Sequence, residues 1–309
     1  MQIRRIVVGL ELGKLSDQAV LRAMGLAREF GARLDVVHGC GVALPQRGVA
    51  RRAFFAEHAA RARASAREAA RGKLELLVED PVYARLPLDD YLHVRAEPGA
   101  QALLQFACEH DADLLVIGAH RHRKLLDFGG TGRAVLARSP CPVWVEPAEA
   151  RRFERVLAPI DLSPSTELVL RAARSLAARF VVPVRVLHVF VPPEIAYDPE
   201  GGPNAGPTHV IDDLCAAEQG ASRELVAGFD WGALPVETEF AAGDPAEEIV
   251  ARAGASDLIV MGTHGHTGLA RAVLGSCAYR VLARGRGPML VVPQREELHP
   301  ERSSAQTTT

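Results

Sequence analysis

ERVLAPIDLSPSTELVLRAARSLAARFVVPVRVLHVF, residues 154–190, reads as strand, polar loop, amphipathic helix, strand. The runs RVLAPI and VRVLHVF are aliphatic without alternation, as expected of strands buried on both faces of a parallel sheet. The same pattern stands at RRIVVGLELGKLSDQAVLRAMGLAREFGARLDVVHGC, residues 4–40. Two further echoes follow. HVRAEPGAQALLQFACEHDADLLVIGAH (93–120) parallels VETEFAAGDPAEEIVARAGASDLIVMGTH (236–264), and AVLARSPCPVWVEP (134–147) parallels RVLARGRGPMLVVP (280–293).

A repeat this long is two copies of one domain rather than a solenoid. The expected units are residues 1–149 and 153–294, joined around Glu149–Phe153, with a polar, disordered tail at 295–309. Within each copy the order is βαβ, a variable region, βαβ, a glycine-rich loop, then αβ. Right-handed crossovers then give an α/β fold of two tandem, doubly wound, parallel five-stranded sheets. The copies differ most at 41–92 and 191–235. Arg51–Arg71 reads as an Ala/Arg-rich surface helix, and PPEIAYDPEGGPNAGP (192–207) as a mobile loop.

Composition narrows the function classes. Of 309 residues, 48% are hydrophobic, enough for two real cores. The formal net charge is −2, which argues against a nucleic-acid partner. Cys40, Cys108, Cys141, Cys215 and Cys277 are odd in number and lack CxxC spacing, which disfavours a disulfide framework or structural zinc and fits a reducing cytoplasm. MQIRRIVVGLELG lacks a signal peptide's apolar core, and no apolar run of ~18 residues is present to span a membrane. The expected localisation is cytoplasmic, with no membrane partner.

In open α/β sheets, ligands bind beyond the carboxyl ends of strands where the strand order reverses. The first strand of the second copy ends at Pro159, Ile160 and Asp161; the fourth ends at Met261 and enters Gly262-Thr263-His264-Gly265. Neighbouring strands would set a carboxylate against a glycine loop across a crevice. Gly262 and Gly265 let backbone amides approach a ligand. Gly275 stops the segment Thr267–Leu274, and Ser276 stands where the N-cap of a helix Cys277–Ala283 is expected. Helix N-termini offer unpaired N–H groups to phosphate oxygens. Asp161 would accept hydrogen bonds from adenine or ribose, or hold Mg²⁺ through water.

The spacing G262-x2-G265-x9-G275-S276, after DLIVMG and with APID on the first strand, resembles the ATP-binding universal stress protein family. The resemblance covers both copies and implies an adenine nucleotide alpha hydrolase-like, Rossmann-like fold. It implies ATP as ligand, with Pro159, Ile160, Asp161 and Val189 at the adenosine end. Gly262, His264, Gly265, Gly275, Ser276 and Cys277 would follow the ribose and phosphates. Family members signal by changing shape or partners, so a protein partner of unknown identity is implied. The last strands, CPVWVEP and PMLVVP, are expected to meet as an intrachain pseudo-dimer, with a homodimer open.

The first copy departs from the motif. Glu11 answers Asp161, Arg121 answers Gly265, and Gly129 falls opposite Gly275 across a loop two residues shorter. Arg121 would intrude where phosphate approaches, so this copy reads as degenerate. The counter-reading is that Arg121, Arg123 and Lys124, with Gly129-Gly130, bind a different anion.

Competing chemistry is thinner. His120/His122 and His264/His266 lack evident third and fourth metal ligands. His58, His110 and His188 read as isolated surface or core residues. Thr263-His264-Gly265-His266 fits the TxGH pattern of nucleotidyltransferases, which would make an adenylyl-transferring enzyme, but that motif normally follows the first strand. No nucleophile elbow or base–orienter set is present, so binding is favoured over turnover, with slow ATP hydrolysis at most. A non-nucleotide ligand-binding scaffold is the remaining alternative.

Overall fold

The computed structural model describes residues 1–41, 49–78, 83, 86–119, 130–149, 152–193, 208–263 and 274–294. The side chains of residues 15, 49–59 and 208–209 also lie outside the description. The chain divides into two compact units, built mainly on residues 2–150 and 151–290.

The first unit runs β1 (Arg5–Gly9), α1 (Asp17–Phe30), β2 (Arg33–Gly39), α2 (Val49–Leu77), β3 (Leu92–Arg95), α3 (Gly99–Glu109), β4 (Leu114–Gly118), α4 (Gly130–Arg138) and β5 (Val143–Glu146). Its strands are ordered β3-β2-β1-β4-β5. β1 pairs in parallel with β2 and β4, β2 with β3, and β4 with β5. The order reverses between β1 and β4, the doubly wound arrangement expected from the alternating elements.

The second unit repeats this with β6 (Arg155–Ile160), α5 (Thr166–Phe180), β7 (Val184–Phe190), α6 (Thr208–Gly228), β8 (Val236–Ala242), α7 (Pro245–Arg252), β9 (Asp257–Gly262), α8 (Ser276–Arg284) and β10 (Met289–Val292). The order is β8-β7-β6-β9-β10. β6 pairs in parallel with β7 and β9, so the first and fourth strands of this copy are neighbours across the reversal. The helix expected at Arg51–Arg71 lies inside α2. The loop at 194–207, the glycine-rich segments 120–129 and 264–273, and the tail 295–309 lie outside the described residues.

The strands are apolar because both faces are covered. Val156, Leu157, Ala158, Leu258, Ile259 and Val260 are all buried. Val169, Leu170, Ala173, Leu176 and Ala177 form the buried stripe of α5. Charged residues in this layer are paired, since a lone charge there would be costly. Arg155 donates two hydrogen bonds to Asp257, at 3.1 and 2.8 Å, fastening the start of β6 to β9. In the first unit the fully buried Asp35 accepts from Arg5 at 2.9 Å and faces His93 at 2.9 Å.

α1 stops at Gly31, whose φ of +63° is the left-handed cap glycine adopts freely. At the matching point of α5 stands Val181, with φ +54° and 87% exposure. A β-branched residue in this region is strained.

Candidate functional site

Four segments of the second unit converge beyond the carboxyl ends of β6, β7 and β9. Pro159 and Ile160 end β6, and Asp161 opens its loop; Val189 lies near the end of β7; Met261 and Gly262 end β9; Gly275, Ser276 and Cys277 lead into α8. All nine line one cavity of about 590 Å³, within the range of small-molecule sites. His264 and Gly265 lie outside the described residues.

The β6 loop is shaped around Asp161. Its Oδ1 accepts from the backbone N–H of Ser163 at 3.1 Å and from the Thr166 hydroxyl at 3.3 Å. Leu162 turns the chain between them with φ +60°, a strained value for a residue with a Cβ. Among the described residues Oδ2 has no partner, so one carboxylate oxygen is left for the cavity.

The approach to α8 is held from the other side. The N–H of Gly275 donates to the Thr263 carbonyl at 2.8 Å, and the N–H of Tyr279 to the Gly275 carbonyl at 2.9 Å. Gly275 thus occupies the cap position, and Ser276 is the first helical residue. This corrects the expected role of Ser276: Gly275, at φ −57° and ψ 147°, is the cap residue, and among the described residues no side chain caps α8. The helix's unpaired N–H groups remain for something else to satisfy.

A charged clamp braces this end. Asp244 caps α7 by accepting from the Glu247 N–H at 3.0 Å, and also takes Arg280 of α8 at 2.6 Å. Arg280 and the backbone amides hold the Asp244 carboxyl below its ordinary range. Cys277 shows the opposite effect. Burial first, then the Asp244 and Asp161 carboxylates, push its thiol up to about 11.

His188, expected to be isolated, is a buried member of the wall. Nδ1 lies 3.0 Å from the Ile160 carbonyl and Nε2 3.0 Å from a carboxylate oxygen of Glu218 on α6. Both also line the cavity. The signal for His188 was in the repeat, because VVHGC and VLHVF carry His38 and His188 in register. Glu218 had no such signal, since it falls in the variable region. Thr166, Pro245, Ile249 and Ala278 complete parts of the wall that the motif did not single out.

Each unit is therefore a Rossmann-like, doubly wound α/β domain, with a cavity in the second at the strand reversal. The universal stress protein family model matches residues 2–147 and 152–293, and the chain belongs to that family. It is 28% identical over 305 residues to the universal stress protein Rv2319c of Mycobacterium tuberculosis, a match spanning 93% of this chain and 99% of that one. It is 34% identical over 151 residues to the universal stress protein MJ0531 of Methanocaldococcus jannaschii, covering 47% of this chain and 85% of that one. The crystal structure of a putative universal stress protein from Pseudomonas aeruginosa UCBPP-PA14 superposes with a TM-score of 0.60 at 18% identity, covering 94% of this chain and 93% of that one. At that identity the likeness concerns the fold alone. No helix among the described residues is long and apolar enough to cross a membrane.

Proposed function

We infer that the second unit binds ATP and that the protein acts as a nucleotide-dependent stress-response regulator. The observation that carries this reading is the convergence of nine motif-selected residues, from four separate segments, on one cavity. Pro159, Ile160, Asp161 and Val189 receive the adenosine. Gly262, His264, Gly265, Gly275, Ser276 and Cys277 follow the ribose and phosphates, with the first-turn amides of α8 facing oxyanions. Asp161, with Oδ1 committed to its own loop, uses Oδ2 for ribose or for Mg²⁺ through water. The first unit, with Glu11 and Arg121 in the motif positions, does not take ATP in this way.

Calorimetry on Gly265→Arg and Asp161→Ala tests the placement. Gly265→Arg imports the first copy's residue and is expected to abolish ATP binding with the melting temperature retained. Retained affinity in Gly265→Arg would mean that the phosphates lie elsewhere. Release of pyrophosphate by the wild-type protein with an acceptor would favour adenylyl transfer instead.

A further inference from the structure

The first unit has a cavity of its own, about 350 Å³, at the carboxyl ends of β1, β2 and β4. It is built from the same positions as the larger one. By the repeat, Leu10, Glu11, His38, Gly39, Leu103 and Thr131 stand where the second unit has Ile160, Asp161, His188, Val189, Ile249 and Cys277.

His38 is the informative member. It is 9% exposed, and its Nδ1 lies 2.9 Å from the Leu10 carbonyl, just as His188 meets Ile160 at 3.0 Å. Each histidine lies 28 residues beyond its carbonyl partner, so one latch has been kept in both copies. Among the described residues the copies differ at the other nitrogen: Nε2 of His188 meets the Glu218 carboxylate, whereas the side-chain contact of His38 there is the one at Nδ1. The second unit thus displays the chemistry that completes this ring.

The neighbouring changes fit an incoming oxyanion. Thr131, in the first turn of α4, puts a hydroxyl where the second unit has a thiol. The first amides of the nine-residue α4 have no intrahelical partner and carry partial positive charge. Gly39 replaces Val189 because β2 closes onto the β3–α3 connection: a Cβ there would lie 2.7 Å from the Glu97 carbonyl oxygen and the Gly99 Cα. That approach narrows the space a base would need.

We propose that the cavity of the first unit binds a small carboxylate-bearing molecule together with one proton: Nδ1–H of His38 stays on the Leu10 carbonyl, and the added Nε2–H donates to the carboxylate in the place Glu218 takes on His188, beside Thr131 and the first turn of α4. This assignment is independent of the ATP reading, because it concerns the other unit and a different ligand.

Succinate, acetate, glutamate and inorganic phosphate are titrated separately into the full chain carrying ¹⁵N-labelled histidine. A saturable shift of the His38 ring resonances by at least one carboxylate is expected. His38→Asn keeps a donor for the Leu10 carbonyl but removes Nε2; it is expected to weaken that binding at least tenfold with melting temperature unchanged. Equal affinity in His38→Asn, binding of phosphate alone, or no shift with any of the four overturns the proposal. A second measurement bypasses the His38 variant. In Glu218→Ala, acetate is expected to raise the melting temperature relative to chloride at equal ionic strength by more than it does in wild type, where His188 already holds Glu218 and acetate has only the first unit's cavity to fill. Absence of that rescue shows that a free carboxylate does not complete this ring, which also overturns the proposal.

Discussion

His188 ties two strands of the second unit together: Nδ1 holds the Ile160 carbonyl at the end of β6, while Nε2 holds Glu218 on α6. Ile160 immediately precedes Asp161, so the latch also fixes where the cavity's carboxylate begins. His188→Phe leaves the buried Ile160 carbonyl without its donor and Glu218 without its partner. The expected cost is ~1–3 kcal/mol in urea unfolding, the range for unsatisfied buried polar groups. His188→Asn retains donation toward Ile160 and is expected to lose less. Equal losses in the two variants would deny the latch its role.

Asp35 is expected to govern acid stability of the first unit. Burial pushes its carboxyl up, but the hydrogen bond from His93 and the charges of Arg5 and Arg33 outweigh this and hold it below the ordinary 3.8. A carboxyl depressed in the folded state stabilises above its unfolded value, and that stability is lost as pH falls through the folded value. The difference between wild type and Asp35→Asn should therefore stay level at neutral pH and shrink below 3.8. Its plateau is expected near ~3 kcal/mol, the low end for a broken buried pair because Arg5 retains 24% exposure. A difference that grows in acid would contradict this account.

Val181→Gly is expected to stabilise the protein. An L-residue in the left-handed region costs roughly 1–2 kcal/mol, and glycine's larger unfolded-state entropy returns roughly 0.5–1 kcal/mol of that. Because Val181 is 87% exposed, little apolar burial is lost. A higher melting temperature for the glycine variant checks the strain; a lower one contradicts it.

Cys277 is expected to resist alkylation at neutral pH although it lines a cavity. Thiolate is the reactive form, and it appears only as pH approaches about 11. Iodoacetamide mapping by mass spectrometry should label the exposed Cys108 first, with Cys277 labelling accelerating at high pH. Rapid labelling of Cys277 at pH 7 would show that burial, with Asp244 and Asp161, does not hold its thiol protonated.

The sheet was legible because its strands are buried on both faces. RVLAPI, VRVLHVF and DLIVMG read as strands without help from neighbours, and the repeat supplied the order twice. The lining of the candidate cavity was legible at Gly262, Gly275 and Asp161, whose spacing survives in the linear chain; Gly265 lies outside the described residues. Ser276 was misplaced by one position because a serine before a helix resembles a cap, whereas the Thr263 carbonyl recruits Gly275 to that place. His188 was missed for lack of a partner in the sequence. Its partner Glu218 sits on α6, in a stretch that the two copies do not share, and only the packing of that helix brings the carboxylate to the ring.

We infer an asymmetric pair of units, with ATP in the second and not in the first. Calorimetric titration of the full chain with ATP and Mg²⁺ tests it most directly. One nucleotide per chain, lost in Gly265→Arg, is the expected result; two per chain, or none, would contradict it.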